Sequence, residues 1–247
     1  MQRLHYLAFG LAGYLAALLP MVYFAGFLAN VFVPKSVDSG PVPLTSATGR
    51  TLAIDLALLA SFGLVHSLLA RRAVKDRLTR IFPAELERSL YSLIAGAQMA
   101  LICWGWQPLP QAVWDLPAEW AALRLFLWVL EGAGWGIVIA ALVTIDSTHL
   151  FGLRQAWDAA RRLPHVAPRF EIRGLYRHVR HPVYTGSLLA FWSTPSMSQG
   201  RLLLVGALTI YLFIGLMFEE RDLEREFGEL FREQKRRVPA LFPRLMK

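Results

Sequence analysis

The chain has 247 residues, 55% of them hydrophobic and only 18% charged, which is too apolar for a soluble globular surface. A mean hydropathy of +0.40 agrees, and the chain reads as a membrane protein. Its formal net charge of +8 must then lie outside the hydrocarbon, where it favours anionic headgroups and implies no nucleic acid partner. The single cysteine, Cys103, excludes an internal disulfide and reads as a small packing residue within an apolar run.

In chain order, the apolar start from Leu4 to Val33 is too long for the h-region of a cleaved signal and lacks a small-x-small exit, so it is expected to remain as a span. Crossing the hydrocarbon core takes about 20 mainly apolar residues. Residues 4–29, 52–70, 89–107 and 122–145 meet that length. Two shorter runs, 183–195 and 202–218, are joined by Ser196-Met197-Ser198-Gln199-Gly200, read as the turn of a helical hairpin. The expected fold is an all-α, polytopic membrane bundle ending in this hairpin. Five to six transmembrane helices are expected, with the hairpin either crossing twice or only dipping in.

Lys and Arg accumulate on the cytoplasmic side of short loops. Of the 26 here, all except Lys35, Arg50, Arg124 and Arg201 fall at the N-terminus, within 71–88, within 154–180, or after Phe218. A hairpin that crosses twice and one that only dips in both return to the side they left, so both termini are expected in the cytoplasm. A single domain is expected: an N-terminal span and outer loop (1–51), core spans (52–218), and a cytoplasmic tail (219–247). In the tail, Leu223, Phe227, Leu230 and Phe231 recur at helical spacing among charges, predicting an amphipathic helix that continues the last span along the membrane surface.

Chemistry is expected in the polar pieces 147–181 and 219–247. The run from Gly174 through Tyr176, Arg177, Arg180, His181, Pro182 and Tyr184 to Gly186 is rich in donors where a helix begins. Pro182 suits a first helical turn, leaving free N–H groups nearby for an anion, and the arginines add bidentate donors. Basic residues flanking a span also serve as topology anchors. Glu219-Glu220 should return to the same face, where a carboxylate can bind ribose hydroxyls, pair with arginine or balance a cation. Within the spans, Asp55 is expected at the outer interface. Glu131 is expected protonated or paired, with Gly132-x-x-x-Gly136 serving close helix packing. Trp104, Trp106, Trp114, Trp120 and Trp128 fit an interfacial belt.

The pattern Arg180-His181-Pro182-x-Tyr184-x-Gly186, then Glu219-Glu220-x-x-Leu223, Phe227-Gly228 and Val238-Pro239, resembles the C-terminal signature of the isoprenylcysteine carboxyl methyltransferase and phospholipid methyltransferase superfamily. More narrowly, residues 63–71, Glu87-Arg88-Ser89-Leu90-Tyr91, Trp104-Gly105-Trp106-Gln107-Pro108-Leu109-Pro110, Leu150-Phe151-Gly152-Leu153-Arg154-Gln155 and residues 190–197 are similar to the methanethiol S-methyltransferase and NnrU-type family, over roughly residues 52–243. One stretch departs. Where those enzymes typically carry Asn-His-Phe-Asp or Asn-His-Phe-Glu, this chain has Asp146-Ser147-Thr148-His149.

The resemblance implies an S-adenosylmethionine-dependent enzyme of a bacterial inner membrane, its active site facing the cytoplasm. Tyr176, Arg180, His181, Pro182, Tyr184, Gly186, Glu219 and Glu220 would surround the cofactor. His149 and Arg154 would be catalytic, with Arg154, Gln155 and Glu131 on the substrate side, and no metal is expected. The acceptor would be a small or apolar thiol such as methanethiol, giving dimethyl sulfide. Prenylcysteine, an amine or a lipid headgroup are the other acceptors, and nothing indicates an oligomeric state. A rival from the NnrU side is a haem-associated sensor or isomerase with His66 or His149 on the iron.

Overall fold

The computed structural model describes residues 2–40, 48–164 and 172–243. Part of the outer loop, residues 165–171 with Arg169, and the tail end with Arg244 and Lys247 lie outside the described residues. The elements are α1 (Gln2–Ala29), α2 (Thr48–Ala70), α3 (Arg72–Leu78), α4 (Glu87–Gly105), β1 (Ala112–Asp115), α5 (Ala121–Thr144), α6 (Ser147–Leu150), α7 (Leu153–Arg161), α8 (Pro182–Trp192), β2 (Ser196–Ser198), α9 (Gln199–Phe227) and α10 (Glu229–Arg237). They form two compact units, Met1–Pro110 with Asp146–Pro168, and Gln111–Ile145 with Arg169–Lys247. The protein is a polytopic α-helical membrane protein. Four of its described helices are long and apolar enough to cross a bilayer: α1, α2, α5 and α9. The 19-residue α4 lies outside that set, because Glu87, Arg88, Ser89, Ser92 and Gln98 dilute its apolar content.

In the first unit, small residues let the backbones touch, which is how helices associate where lipid removes the hydrophobic drive. A Cβ on Gly96 would stand 1.7 Å from the Ala16 carbonyl oxygen, and one on Gly13 would stand 2.5 Å from that of Ser89, so α4 lies directly on α1. Gly10 does the same for α7, where a Cβ would meet the Ala156 methyl at 2.4 Å. Asp55 is fully buried within the protein, and its Oδ1 accepts the Gln107 N–H at 2.8 Å.

In the second unit, α5 and α8 cross where Gly134 meets Gly186, and a Cβ on Gly186 would approach the Gly134 carbonyl oxygen to 2.6 Å. The expected role of Gly132-x-x-x-Gly136 is corrected here: among the described residues a Cβ on either glycine meets nothing within 4 Å, and the close contact belongs to Gly134 on another face. Ser196-Gly200 is also more than a turn. Ser196–Ser198 is a strand antiparallel to Ala112–Asp115, with Ala112 opposite Ser198 and Asp115 opposite Ser196. Ser198 then caps α9, its hydroxyl accepting the Arg201 N–H at 2.9 Å. At 1.5 Å per residue α8 is only about 16 Å long, so residues 193–195 leave the helix well before a helical crossing is complete. By the same rise α9 is about 43 Å long. It carries the last span through Glu219-Glu220 to Phe227, where Gly228 at φ +55° breaks it from α10.

Candidate functional site

The second unit brings the two ends of the hairpin together. Pro182 occupies the first turn of α8, its side chain fully buried, and His181 precedes it. After α10 the chain runs beside this corner: the N–H of Arg180 bonds the Pro239 carbonyl at 2.9 Å and that of His181 bonds Ala240 at 3.0 Å. Thr185 adds its hydroxyl to the Leu241 carbonyl at 2.6 Å. Five residues of the expected cofactor set, Arg180, His181, Tyr184, Glu219 and Glu220, thus meet at one helix junction.

Their roles divide. Arg180 has a side chain only 7% exposed, and its Nε donates to Glu220 Oε1 at 3.0 Å while its Nη1 donates to the carbonyls of Lys235 and Val238. Lys235 reaches the other oxygen of Glu220 at 3.1 Å, and His181 Nε2 lies 3.3 Å from Oε1. This buried pair satisfies itself, as buried charges must. Glu219 is different. Its Oε2 accepts the Tyr184 hydroxyl at 2.6 Å and lies 3.8 Å from His181 Nδ1, yet its side chain is 46% exposed. The His181 and Tyr184 rings stack at 5.5 Å, 19° from parallel. Burial pushes the Tyr176 phenol up to about 12, and the nearby Glu219 carboxylate adds to the effect. Beside this corner is a cavity of about 610 Å³ whose walls include Ile172, Arg177, Gln234, Arg237 and Val238.

Two expected residues fall elsewhere. Gly186 serves the α5–α8 contact. Glu131 pairs with Arg201 at 3.0 Å, both side chains almost wholly buried; Arg201 and Glu220 are 19 residues apart on α9, about 28 Å by helical rise. Charge counting could not have found this partner, because Arg201 looks like an outer-loop anchor. Lys235 was also missed. It is one basic residue among several in the tail, and only the fold separates it from Arg236 and Arg237, which pair with Glu233 on the surface.

In the first unit, Asp146 takes a left-handed conformation (φ 63°) and caps α6, accepting from the Thr148 and His149 N–H groups. The Thr148 hydroxyl, then these N–H groups and His149, hold its carboxyl below the usual range. Gln155 Nε2 donates to the His149 carbonyl at 2.9 Å and lies 3.4 Å from its Nδ1. Arg154 is 59% exposed and pairs with Asp158 at 3.3 Å. The loop holding these residues is anchored by Arg88, whose Nε donates to the Leu150 carbonyl at 2.6 Å, and by the Ser89 hydroxyl on the Gly152 carbonyl at 3.0 Å. His66 Nε2 is 2.6 Å from the Tyr91 hydroxyl and its ring stacks on Phe62. Among the described residues no group of three or more His, Cys, Asp or Glu is placed to hold a metal ion.

Helices of membrane length and a polar, part-buried corner at the foot of one of them define an integral membrane protein with a built site. The chain belongs to the NnrU family, whose model, described as NnrU protein, matches residues 56–243. It is 37% identical over 243 residues to methanethiol S-methyltransferase of Mycobacterium tuberculosis, covering 98% of both chains. It is 39% identical over 247 residues to methanethiol S-methyltransferase 2 of Bradyrhizobium diazoefficiens, covering 98% of this chain and 92% of that one. Nurim of Xenopus laevis is 31% identical over 236 residues, covering 85% and 82%. No solved structure matches.

Proposed function

We propose that the protein is a membrane S-methyltransferase that moves a methyl group from S-adenosylmethionine to methanethiol, giving dimethyl sulfide and S-adenosylhomocysteine. The observation that carries this is the near-complete, collinear similarity to several proteins named methanethiol S-methyltransferase. The residues of the helix junction suit the donor. Glu219 is an accessible carboxylate steadied by Tyr184, able to accept ribose hydroxyls or face a positive charge. Tyr176 stays neutral and supplies a ring and a donor, and the adjoining cavity has the size and mixed walls of a nucleoside pocket.

Bound there, the donor would supply an electrophilic methyl on a sulfonium. Arg180, Glu220 and Lys235 hold the corner rigid and contact the ligand little, since their polar atoms are already engaged with one another. Glu219, Tyr176 and Tyr184 bind and orient. His149 is the residue proposed to take the acceptor thiol's proton, the resulting thiolate forming the new carbon–sulfur bond. Arg154 is given no part in bond making, because it is solvent-facing and bound to Asp158. Both termini and the junction face the cytoplasm of a bacterial inner membrane, as the distribution of Lys and Arg argues.

Calorimetry with S-adenosylhomocysteine tests the donor assignment. Saturable one-to-one binding by the purified protein, lost in Glu219→Gln, supports it. No heat on titration, together with a Soret band in the purified protein, overturns it in favour of haem.

A further inference from the structure

Between α1 and α7 in the first unit lies a groove of about 420 Å³ lined by Leu7, Leu11, Leu153 and Trp157, with Thr148 and Arg154 at its edge. It exists because Gly10 lets Ala156 sit directly on α1, leaving larger side chains on either side of that contact to enclose space. Its floor is apolar and its rim is cationic. The Arg161 guanidinium stacks over the half-exposed Trp157 ring, 4.2 Å from the centroid. Asp158 offsets the charge of Arg154, which leaves Arg161 to supply the positive charge beside Trp157.

A soluble anion has no use for the leucine floor, and an uncharged chain has none for the guanidinium rim. We propose that this groove binds an anionic phospholipid, with an acyl chain on Leu7, Leu11 and Leu153 and the phosphate against Arg161. A juxtamembrane arginine favours an anionic headgroup by about fivefold, so Arg161 makes the site discriminate by charge. The proposal is independent of the methyl-transfer assignment.

The test is fluorescence quenching in phosphatidylcholine nanodiscs doped with either brominated phosphatidylglycerol or brominated phosphatidylcholine. The signal of Trp157 is isolated by subtracting the Trp157→Phe variant. The Trp157 component should be half-quenched at about fivefold lower mole fraction of the anionic lipid. Arg161→Gln should abolish that preference and Arg161→Lys should keep most of it, both with unaltered circular dichroism. Equal quenching by the two lipids would show a groove that is merely lipid-exposed, and no quenching by either would show one closed in the membrane. Either result, or full preference in Arg161→Gln, overturns the proposal.

Discussion

Glu219 and Glu220 are adjacent in sequence but answer to different physics. Glu220 neutralises the buried Arg180, so Glu220→Gln leaves a guanidinium uncompensated and should cost on the order of 3 kcal/mol of stability, read as a lowered thermal midpoint in detergent. Glu219→Gln should change stability by no more than about 0.5 kcal/mol, since the side chain is nearly half exposed, while weakening S-adenosylhomocysteine binding. Equal effects of both variants on stability would contradict the division. Asp146 provides a pH test. Its carboxyl is depressed, chiefly by the Thr148 hydroxyl, so its contribution to stability is present above the ordinary carboxylate range and is lost as pH falls through the depressed value. In Asp146→Asn that acid-side loss should be smaller. His149→Ala should lose activity near neutrality and recover it as pH rises past about 8.5, where a free thiol ionises unaided. A loss independent of pH would make His149 a positioning residue.

At the scale of elements, backbone contacts through glycine decide which helices pair. Gly134→Leu would drive a side chain into the Ala190 N–H and the Gly186 carbonyl, 2.5 and 2.7 Å from the Cβ position, and should destabilise by about 1–3 kcal/mol or prevent folding. Gly132→Leu faces open space and should be tolerated, and thermal unfolding of the two variants side by side makes the comparison. This is also where sequence reasoning reached its limit. Helix positions followed from apolar length, which depends only on local composition. The glycine that matters did not, because Gly132-x-x-x-Gly136 fits the small-residue spacing while Gly134 is distinguished only by the helix opposite it. The strand at Ser196–Ser198 was hidden for a related reason: three small or flexible residues carry no β signal until Ala112–Asp115 lies beside them. The meeting of Arg180 and His181 with Glu219 and Glu220 was legible, since a hairpin must return both ends to one face. That Arg180 braces and Glu219 is accessible was not, because burial is a property of the folded neighbourhood.

For the whole molecule, the distribution of basic residues makes a definite claim about orientation. Single cysteines in a Cys103→Ala background at Thr79 and Ala159 should react with a membrane-impermeant reagent only from the cytoplasmic side, and those at Ser39 and Gln111 only from outside. Labelling of Thr79 from outside would invert the arrangement. Activity is tested most directly with isotopically marked donor. Membranes containing the protein, given S-adenosylmethionine with a trideuterated methyl group and unlabelled methanethiol, should release dimethyl sulfide three mass units heavier than the natural compound, at a rate that falls in Glu219→Gln. Absence of that product with folded, S-adenosylhomocysteine-binding protein, and the label found instead on an amine or a lipid, would contradict the account.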